Sequence, residues 1–384
     1  MRKLVTIIIS ATLLLGYFIP SVYAEELVES GISAVLMEVE TGRILYEKNP
    51  DEQLEPASMT KMMSMYLVME AITDGRLTWD QELSISENAA GLGGTQIFLE
   101  VGEQMSVRDL FASVAIASAN DSITALGEAV SGSKKVFIEL MNERASEFGM
   151  VNTVFKNPTG LPADGHVTTA NDMAILARRL IMDFPEVAEF TVMYEDYVRE
   201  DSDEPFWLVN TNKLVRYVEG VDGLKTGYTK GAGYCLAATA KRGDMRVVAV
   251  VMGAERSELR NREIARMIEH AFSQYELHKR IEAGSVVGTH QSMLAAGRRF
   301  DVVTKAPLSL LVEIGTHLGE ESHTVILSQN ITVPINPGDV VGRLVYYIDG
   351  QVYQEIDLTV AETVERTQFI ALWIHALGQL FFGA

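Results

Sequence analysis

The order of apolar and polar residues divides the chain into four textures. The first is Leu4 to Ile19, a nearly uninterrupted apolar run behind Arg2 and Lys3. Val22-Tyr23-Ala24 follows, with small residues at the two positions a signal peptidase reads. The pattern predicts a cleaved export signal over residues 1–24; an uncleaved membrane anchor is the other reading of the same run.

From Glu25 the texture is that of folded chain. Ala34-Val35-Leu36-Met37 and Ile44-Leu45-Tyr46 flank the polar stretch Glu40-Thr41-Gly42-Arg43, which predicts a hairpin. After Pro56, the residues Met62, Tyr66, Met69 and Ile72 recur at three- and four-residue spacing, predicting a helix closed by Gly75. Its methionine stripe reads as core packing. Residues 107 to about 180 alternate helical patterns with Gly- and Asn-rich loops, and Asn157-Pro158-Thr159-Gly160-Leu161-Pro162 is one such loop. Tyr234–Ala240 and Met245–Met252, separated by Gly243-Asp244, read as an apolar antiparallel hairpin, with a helix from Glu258 to Glu276 behind it. These elements predict an α+β domain over residues 25–280, a sheet flanked by helices.

The third texture is β-rich. Ser309–Glu313, Thr324–Leu327, Asp339–Ile348 and Val352–Leu358 are short strand-like runs, with turns at Asn336-Pro337-Gly338-Asp339 and Asp349-Gly350. They predict a small all-β domain over residues 281–363. The fourth, residues 364–384, places Phe369, Ile370, Trp373, Ile374, Leu377, Leu380 and Phe381 at helical spacing, with Gln368, His375 and Gln379 opposite. This apolar run is shorter than the roughly 20 residues that span a bilayer. It predicts an amphipathic helix lying on the membrane surface, with docking onto the β domain as the alternative.

Composition narrows the function classes. A 384-residue chain with 47% hydrophobic and 22% charged residues is an ordinary globular protein. The net charge is −20, and loss of Arg2 and Lys3 with the leader takes it to −22, which disfavours nucleic acid as a partner. Cys235 is the only cysteine, so no disulfide forms within the chain, and its setting in Tyr234-Cys235-Leu236-Ala237-Ala238 reads as buried strand rather than nucleophile. The seven histidines show no His-x-x-x-His pairing, and Glu200-Asp201-Ser202-Asp203-Glu204 reads as an exposed loop, so neither metal nor cofactor is expected.

Three short motifs carry candidate chemistry: Ser58-Met59-Thr60-Lys61, Ser118-Ala119-Asn120 and Lys225-Thr226-Gly227. Similar triplets at Ser131-Gly132-Ser133-Lys134, Ser86-Glu87-Asn88 and Ser328-Gln329-Asn330 read as chance matches. Ser58 and Lys61 start a predicted helix one turn apart on one face. A serine hydroxyl needs a proton acceptor, which Lys61 supplies when burial and a second cation such as Lys225 keep it neutral. The backbone N–H of Ser58 at the helix start and that of Tyr228 on the predicted Val221–Tyr228 strand suit an oxyanion. Lys225 and Thr226 suit a terminal carboxylate, Gly227 a close approach of ligand or backbone. Ser118 is placed to relay a proton to the leaving amine, Asn120 to orient Lys61 and the substrate amide.

Those three motifs resemble the ones found in low-molecular-mass penicillin-binding proteins, the serine-type D-Ala-D-Ala carboxypeptidases of peptidase family S11. Pro56-Ala57-Ser58-Met59-Thr60-Lys61, Gly94-Thr95-Gln96-Ile97-Phe98-Leu99, Ala117-Ser118-Ala119-Asn120-Asp121, Phe155-Lys156-Asn157-Pro158-Thr159-Gly160-Leu161 and Gly223-Leu224-Lys225-Thr226-Gly227-Tyr228-Thr229 carry the likeness. The chain looks closest to the Firmicute carboxypeptidases linked to sporulation. The resemblance implies a β-lactamase/transpeptidase-like catalytic fold with Ser58 as acyl-ester nucleophile, Lys61 as proton acceptor, Ser118 as second serine and Lys225 as substrate-binding residue. It further implies peptidoglycan stem peptides ending in D-Ala-D-Ala as substrates, covalent inhibition by β-lactams, and a place on the outer face of the cytoplasmic membrane. Departures are Ser118 where some relatives have Tyr, Tyr228 where others have His, and Thr211-Asn212 where some carry an arginine near the carboxylate.

Two other readings stand beside it. A β-lactamase of the same fold needs a base to clear its acyl-enzyme, commonly a Glu in the loop after the second motif, and Lys156 to Gly165 contains no Glu. A non-catalytic wall-binding or β-lactam-sensing protein has no need of three intact motifs.

Overall fold

The computed structural model describes residues 26–200, 202, 204–297 and 299–367; the expected leader and the helical positions from Gln368 onward lie outside them. Among these residues no helix is long and apolar enough to cross a membrane. The N-terminal part holds a sheet of five antiparallel strands: β1 (Ser33–Glu38), β2 (Ile44–Lys48), β3 (Val221–Thr229), β4 (Gly233–Arg242) and β5 (Met245–Ala254). Their spatial order is β2-β1-β5-β4-β3, which leaves the outer rim of β3 unpaired by any strand of the sheet.

Both faces of this sheet are covered, which explains why its strands read as continuous apolar runs. Val35, Met37, Cys235, Ala237, Val248 and Val250 join the core formed with the helices between Ala57 and Phe190. The alternate residues Leu36, Leu236, Ala238, Val247, Ala249 and Val251 pack in a second core with Ile264, Met267, Ile268 and Ala271. A period of two in the strands thus meets a helical period on each side. The first core holds α1 (Lys61–Thr73), α2 (Asn120–Ser131) and α3 (Ala170–Asp183); the second holds α4 (Ser257–Gln274).

Helix α1 is buried nearly all round, with Met62, Met63, Met65 and Met69 fully enclosed, as the methionine stripe predicts. It begins at Lys61 rather than at Pro56, because residues 57–60 form a tighter 3₁₀ turn. Helix α4 ends at Gln274, two residues before the expected limit. Tyr275 and Glu276 belong instead to β6 (Tyr275–Ile281), which pairs with β9 (Leu308–Glu313).

The C-terminal part is all-β. Strands β7 (Val286–Gln291), β8 (Arg299–Thr304), β10 (Glu321–Leu327), β11 (Gly342–Ile348) and β12 (Gln351–Val360) form a sheet in the order β7-β8-β12-β11-β10, around Val302, Leu310, Leu344, Ile356 and Leu358. Leu311 of β9 joins the α4 core, and its carbonyl accepts from Arg43 at 3.2 Å. Val364 and Arg366 lie in extended bridges to Ile335 and Ala295, so these first residues of the 364–384 segment are not helical.

One buried carboxylate ties the start of the folded chain to α4. Glu263 accepts the backbone N–H groups of Glu29 (2.9 Å), Ser30 and Gly31 (3.1 Å), while Leu27 and Val28 enter the α4 core. Hydrogen bonds to a charged acceptor contribute about 1.5–3 kcal/mol each, and a buried donor left unpaired costs a comparable amount. Glu263→Ala is therefore expected to lower stability by about 3 kcal/mol or more, read as a reduced urea midpoint; an unchanged midpoint would show that this anchor does not hold the start of the folded chain in place.

Candidate active site

The site begins with an unusual piece of backbone. Ala57 has φ of 45°, in the left-handed region that non-glycine residues seldom occupy. Pro56 before it offers no N–H, and its carbonyl accepts from Met59 at 3.2 Å. The resulting 3₁₀ turn, Ala57–Thr60, carries Ser58, and Lys61 opens α1 directly after it. In a 3₁₀ turn residues three apart eclipse each other, so the two side chains face one another more directly than in an α-helix. Lys61 Nζ lies 3.0 Å from Ser58 Oγ.

Lys61 is fully buried, and its amine has one further partner, the Thr159 carbonyl at 2.7 Å. Burial first, and the charge of Lys225 second, hold its pKa well below the usual lysine range, against the pull of Asp121. A neutral amine has two protons and one lone pair. With one N–H given to Thr159, the lone pair is free to accept the Ser58 proton.

The Thr159 carbonyl is itself held by a buried turn. Asn157 Oδ1 accepts from Thr159 N–H (3.1 Å), Thr159 hydroxyl (2.9 Å) and Gly160 N–H (2.7 Å). His166 packs behind, with Nδ1 3.3 Å from Asn157 Nδ2 and Nε2 3.0 Å from Thr60 Oγ1. Because Asn157 Nδ2 only donates, His166 Nδ1 accepts and Nε2 carries the proton toward Thr60. Burial, aided by Lys156, drops the His166 pKa to about 4, so the ring is neutral. At Gly160 (φ 83°) a Cβ would stand 1.8 Å from the Ala57 carbonyl oxygen and 2.8 Å from the Ser58 nitrogen; only glycine lets the two turns meet.

The second motif follows a widened turn, Ser113–Ala117, of the π type often found at functional sites. Ser118 then takes φ of 68°, and α2 starts at Asn120. The Ser118 hydroxyl has no hydrogen-bond partner among the described residues. Asn120 departs from expectation: its Nδ2 donates to the Gly93 carbonyl at 2.7 Å, and no hydrogen bond joins it to Lys61 among the described residues. One amide N–H thus holds the Gly93–Thr95 loop, whose Thr95 carbonyl also accepts from Asn120 N–H at 2.7 Å. Asp121, not singled out from sequence, is fully buried and accepts from Ile97 (3.0 Å) and Leu99 (3.2 Å), fixing the same loop.

The third motif lies on the open rim of β3. A Cβ on Gly227 would come within 3.0 Å of the Pro56 carbonyl and 3.3 Å of Met59 nitrogen, so this strand is pressed against the Ser58 turn. Lys225 is buried, and its Nζ donates to the Thr226 carbonyl at 3.1 Å. Burial and then Arg260 push its pKa down to about 7. Thr226 Oγ1 bonds Thr211 Oγ1 at 2.8 Å, and Thr211 N–H donates to Ile116 at 3.1 Å. Through Thr211, β3 is thereby linked to the widened turn before Ser118. Tyr228 is exposed, its ring 4.4 Å from that of Tyr234. Cys235 is buried, and burial pushes its thiol up to about 11, unsuited to nucleophilic work. Two of the triplets set aside are helix caps: Ser86 accepts from Ala89 N–H, and Ser133 from Val136 N–H.

Known proteins match this arrangement. The family model described as D-alanyl-D-alanine carboxypeptidase, Peptidase S11, matches residues 22–256, and the one described as penicillin-binding protein 5, C-terminal domain, matches residues 275–366. A D-alanyl-D-alanine carboxypeptidase, DacF, of Bacillus subtilis is 41% identical over 98% of both chains. Among solved structures, penicillin-binding protein 5 from Haemophilus influenzae superposes with a TM-score of 0.71 at 31% identity, covering 88% of this chain and 98% of its own. Penicillin-binding protein D2 from Listeria monocytogenes in its ampicillin-bound form gives 0.57 at 36% identity, covering 63% of this chain and 97% of its own. Matched over most of its length by this family model and by a relative of the same name, the chain belongs to the D-alanyl-D-alanine carboxypeptidase family, Peptidase S11.

Proposed function

We propose that the protein is a serine D-alanyl-D-alanine carboxypeptidase that removes the terminal D-alanine from peptidoglycan stem peptides through an ester on Ser58. The observation that carries this reading is the buried, deprotonated-leaning Lys61 amine 3.0 Å from Ser58 Oγ, with its second contact fixed at Thr159. Lys61 accepts the hydroxyl proton as Ser58 Oγ attacks the carbonyl of the penultimate D-alanine. The oxyanion is received by the backbone N–H groups of Ser58 and Tyr228. Collapse breaks the C–N bond, and the leaving amine takes the proton from Lys61 by way of the Ser118 hydroxyl. Water then adds to the ester with Lys61 again as acceptor, and the second collapse restores Ser58. Asn120 holds the Gly93–Thr95 loop with one amide N–H and orients the substrate amide with the rest of its side chain. Lys225 and Thr226, with Gly227 allowing close approach, hold the terminal carboxylate, whose arrival favours the charged form of Lys225.

The ampicillin-bound form of the Listeria relative supports penicillin binding here, which we read as acylation of Ser58. Asp164 in the Lys156–Gly165 loop is exposed, which supports a slow release of that adduct rather than β-lactamase turnover. The proposal extends to a leader over residues 1–24, a catalytic unit over 25–280, a β unit over 281–363, and a membrane-surface helix within 364–384. The protein then works outside the cytoplasm, and in sporulation, as the family resemblance implies.

Ser58→Ala is expected to abolish D-alanine release from a diacylated L-Lys-D-Ala-D-Ala peptide, and with it labelling by penicillin, while the thermal transition stays in place. Persistent release in that variant would refute the mechanism, and rapid loss of penicillin label from the parent protein would favour a β-lactamase.

The pH dependence follows from the like charges in the site. Lys61 acts only when neutral, so the acylation efficiency rises with pH through its depressed pKa. Lys225 contributes to that depression, so removing the cation raises the Lys61 pKa. Lys225→Met is therefore expected to move the acid limb of the penicillin acylation profile to higher pH, besides lowering the rate. A limb that stays put or moves to lower pH would contradict the assignment of Lys61 as the base.

A further inference from the structure

The amine of Lys61 belongs to a longer series of buried groups. Its partner, the Thr159 carbonyl (2.7 Å), is part of the Thr159–Gly160 peptide, and the N–H of that same peptide donates to Asn157 Oδ1 at 2.7 Å. Thr159 N–H (3.1 Å) and the Thr159 hydroxyl (2.9 Å) converge on the same atom, so it is the amide oxygen, and Nδ2 lies on the other side. Nδ2 donates to the Leu161 carbonyl (2.8 Å) and faces His166 Nδ1 at 3.3 Å. His166 Nε2 in turn lies 3.0 Å from Thr60 Oγ1. Thr60 stands between Ser58 and Lys61 in sequence, so the series closes on the segment where it began. Thr60, Lys61, Asn157, Thr159 and His166 are all buried.

The donors in this circuit point one way round. With the site ready for attack, Ser58 O–H donates to Lys61 Nζ, and Lys61 N–H to the Thr159 carbonyl. Gly160 N–H then donates to Asn157 Oδ1, Asn157 Nδ2–H to His166 Nδ1, and His166 Nε2–H to Thr60 Oγ1. The peptide, the side-chain amide and the imidazole are each conjugated, and each passes polarisation from its accepting atom to its donating one. Hydrogen bonds in such a head-to-tail series strengthen one another. The imidazole is where the direction could fail, because its proton can sit on either nitrogen. Asn157 Nδ2 settles it: a donor facing Nδ1 requires the lone pair there and the proton on Nε2. Burial drops the ring's pKa to about 4, so it keeps one acceptor and one donor at neutral pH.

We propose that His166 is a positioning residue for the acylation step. By accepting from Asn157 at Nδ1 and anchoring Nε2 on Thr60, it fixes the Thr159 carbonyl against Lys61 and leaves the lone pair of the amine aimed at Ser58. This deepens the carboxypeptidase reading and rests on it. His166 acts through Asn157 and Thr159 rather than on the substrate. Its loss therefore falls on the rate of bond formation and not on noncovalent binding.

The test is acylation by benzylpenicillin, resolved by rapid mixing into a noncovalent dissociation constant and an acylation rate constant. The proteins compared are the parent, His166→Phe, His166→Asn, Thr60→Val and a core control, Phe137→Leu. Phenylalanine keeps the ring volume and lacks both nitrogens. His166→Phe is expected to lower the rate constant by about ten- to hundred-fold, with the dissociation constant changed less than about threefold. His166→Asn, whose Oδ1 still accepts from Asn157, is expected to recover most of that loss. Thr60→Val removes the far anchor alone and is expected to cost about two- to tenfold; it decides the matter if His166→Phe does not fold. Phe137 is buried outside the circuit, and Phe137→Leu is expected to lower the urea midpoint while leaving the rate constant at the parent value. An unchanged rate constant in His166→Phe or Thr60→Val would overturn the proposal. So would a loss in His166→Asn as large as in His166→Phe, or a comparable loss in Phe137→Leu. Failure of the underlying reading is distinguishable, because it appears as penicillin labelling or D-alanine release that survives Ser58→Ala.

Discussion

The structure depends on keeping one amine dry. An ammonium group taken from water into the interior costs several kcal/mol even after relaxation, unless a counter-charge is at hand. Lys61 has a carbonyl and a hydroxyl as its hydrogen-bond partners, with a second buried lysine near enough to repel its charge. The neutral form is the one this surrounding favours, and a neutral amine is what Ser58 needs. Much of the local architecture exists to hold that amine in place: Asn157 fixes the Thr159 carbonyl, His166 backs Asn157, and Gly160 lets the turn sit against Ala57.

The sheet supplies the other half of the site by ending where it does. Since β3 is the last strand in the order, its outer rim is free to face the Ser58 turn, and Gly227 brings it within contact. Behind it, the two apolar cores lock β4 and β5 from both sides, so the rim is a rigid wall. Rigidity matters because an oxyanion seat works only when its donors are already aimed before charge develops. Two of the strained residues belong to the first two motifs: Ala57 precedes Ser58, and Ser118 itself has positive φ.

What the sequence disclosed, and what it hid, follows from the range of each interaction. The Ser58–Lys61 spacing, the apolar runs of β4 and β5 and the glycine of the third motif are local patterns, and each lies where its pattern implies. The 3₁₀ turn was hidden because Met62 to Ile72 fix a helix without fixing its first turn. The reading of Asn120 as orienting Lys61 and the substrate amide misses that its Nδ2 donates to a loop 27 residues earlier, which no spacing rule anticipates. His166 reaches the site through a contact across 106 residues, with ordinary sequence surroundings. Strands β7 and β8 were not anticipated, because Val286-Val287-Gly288-Thr289-His290-Gln291 and Arg299-Phe300-Asp301 mix polar and apolar residues at the surface of a small sheet.

Protonation of Lys61 is the quantity on which the account stands, and it is open to direct observation. Lysine labelled with ¹³C at Cε and ¹⁵N at Nζ, assigned by comparison with a Lys61→Arg variant, reports the charge of this amine as pH is varied. The account predicts a Lys61 resonance that loses its ammonium character well below the pH at which the exposed lysines titrate. A resonance that stays in the ammonium position up to the ordinary lysine range, about 10.4, would contradict it.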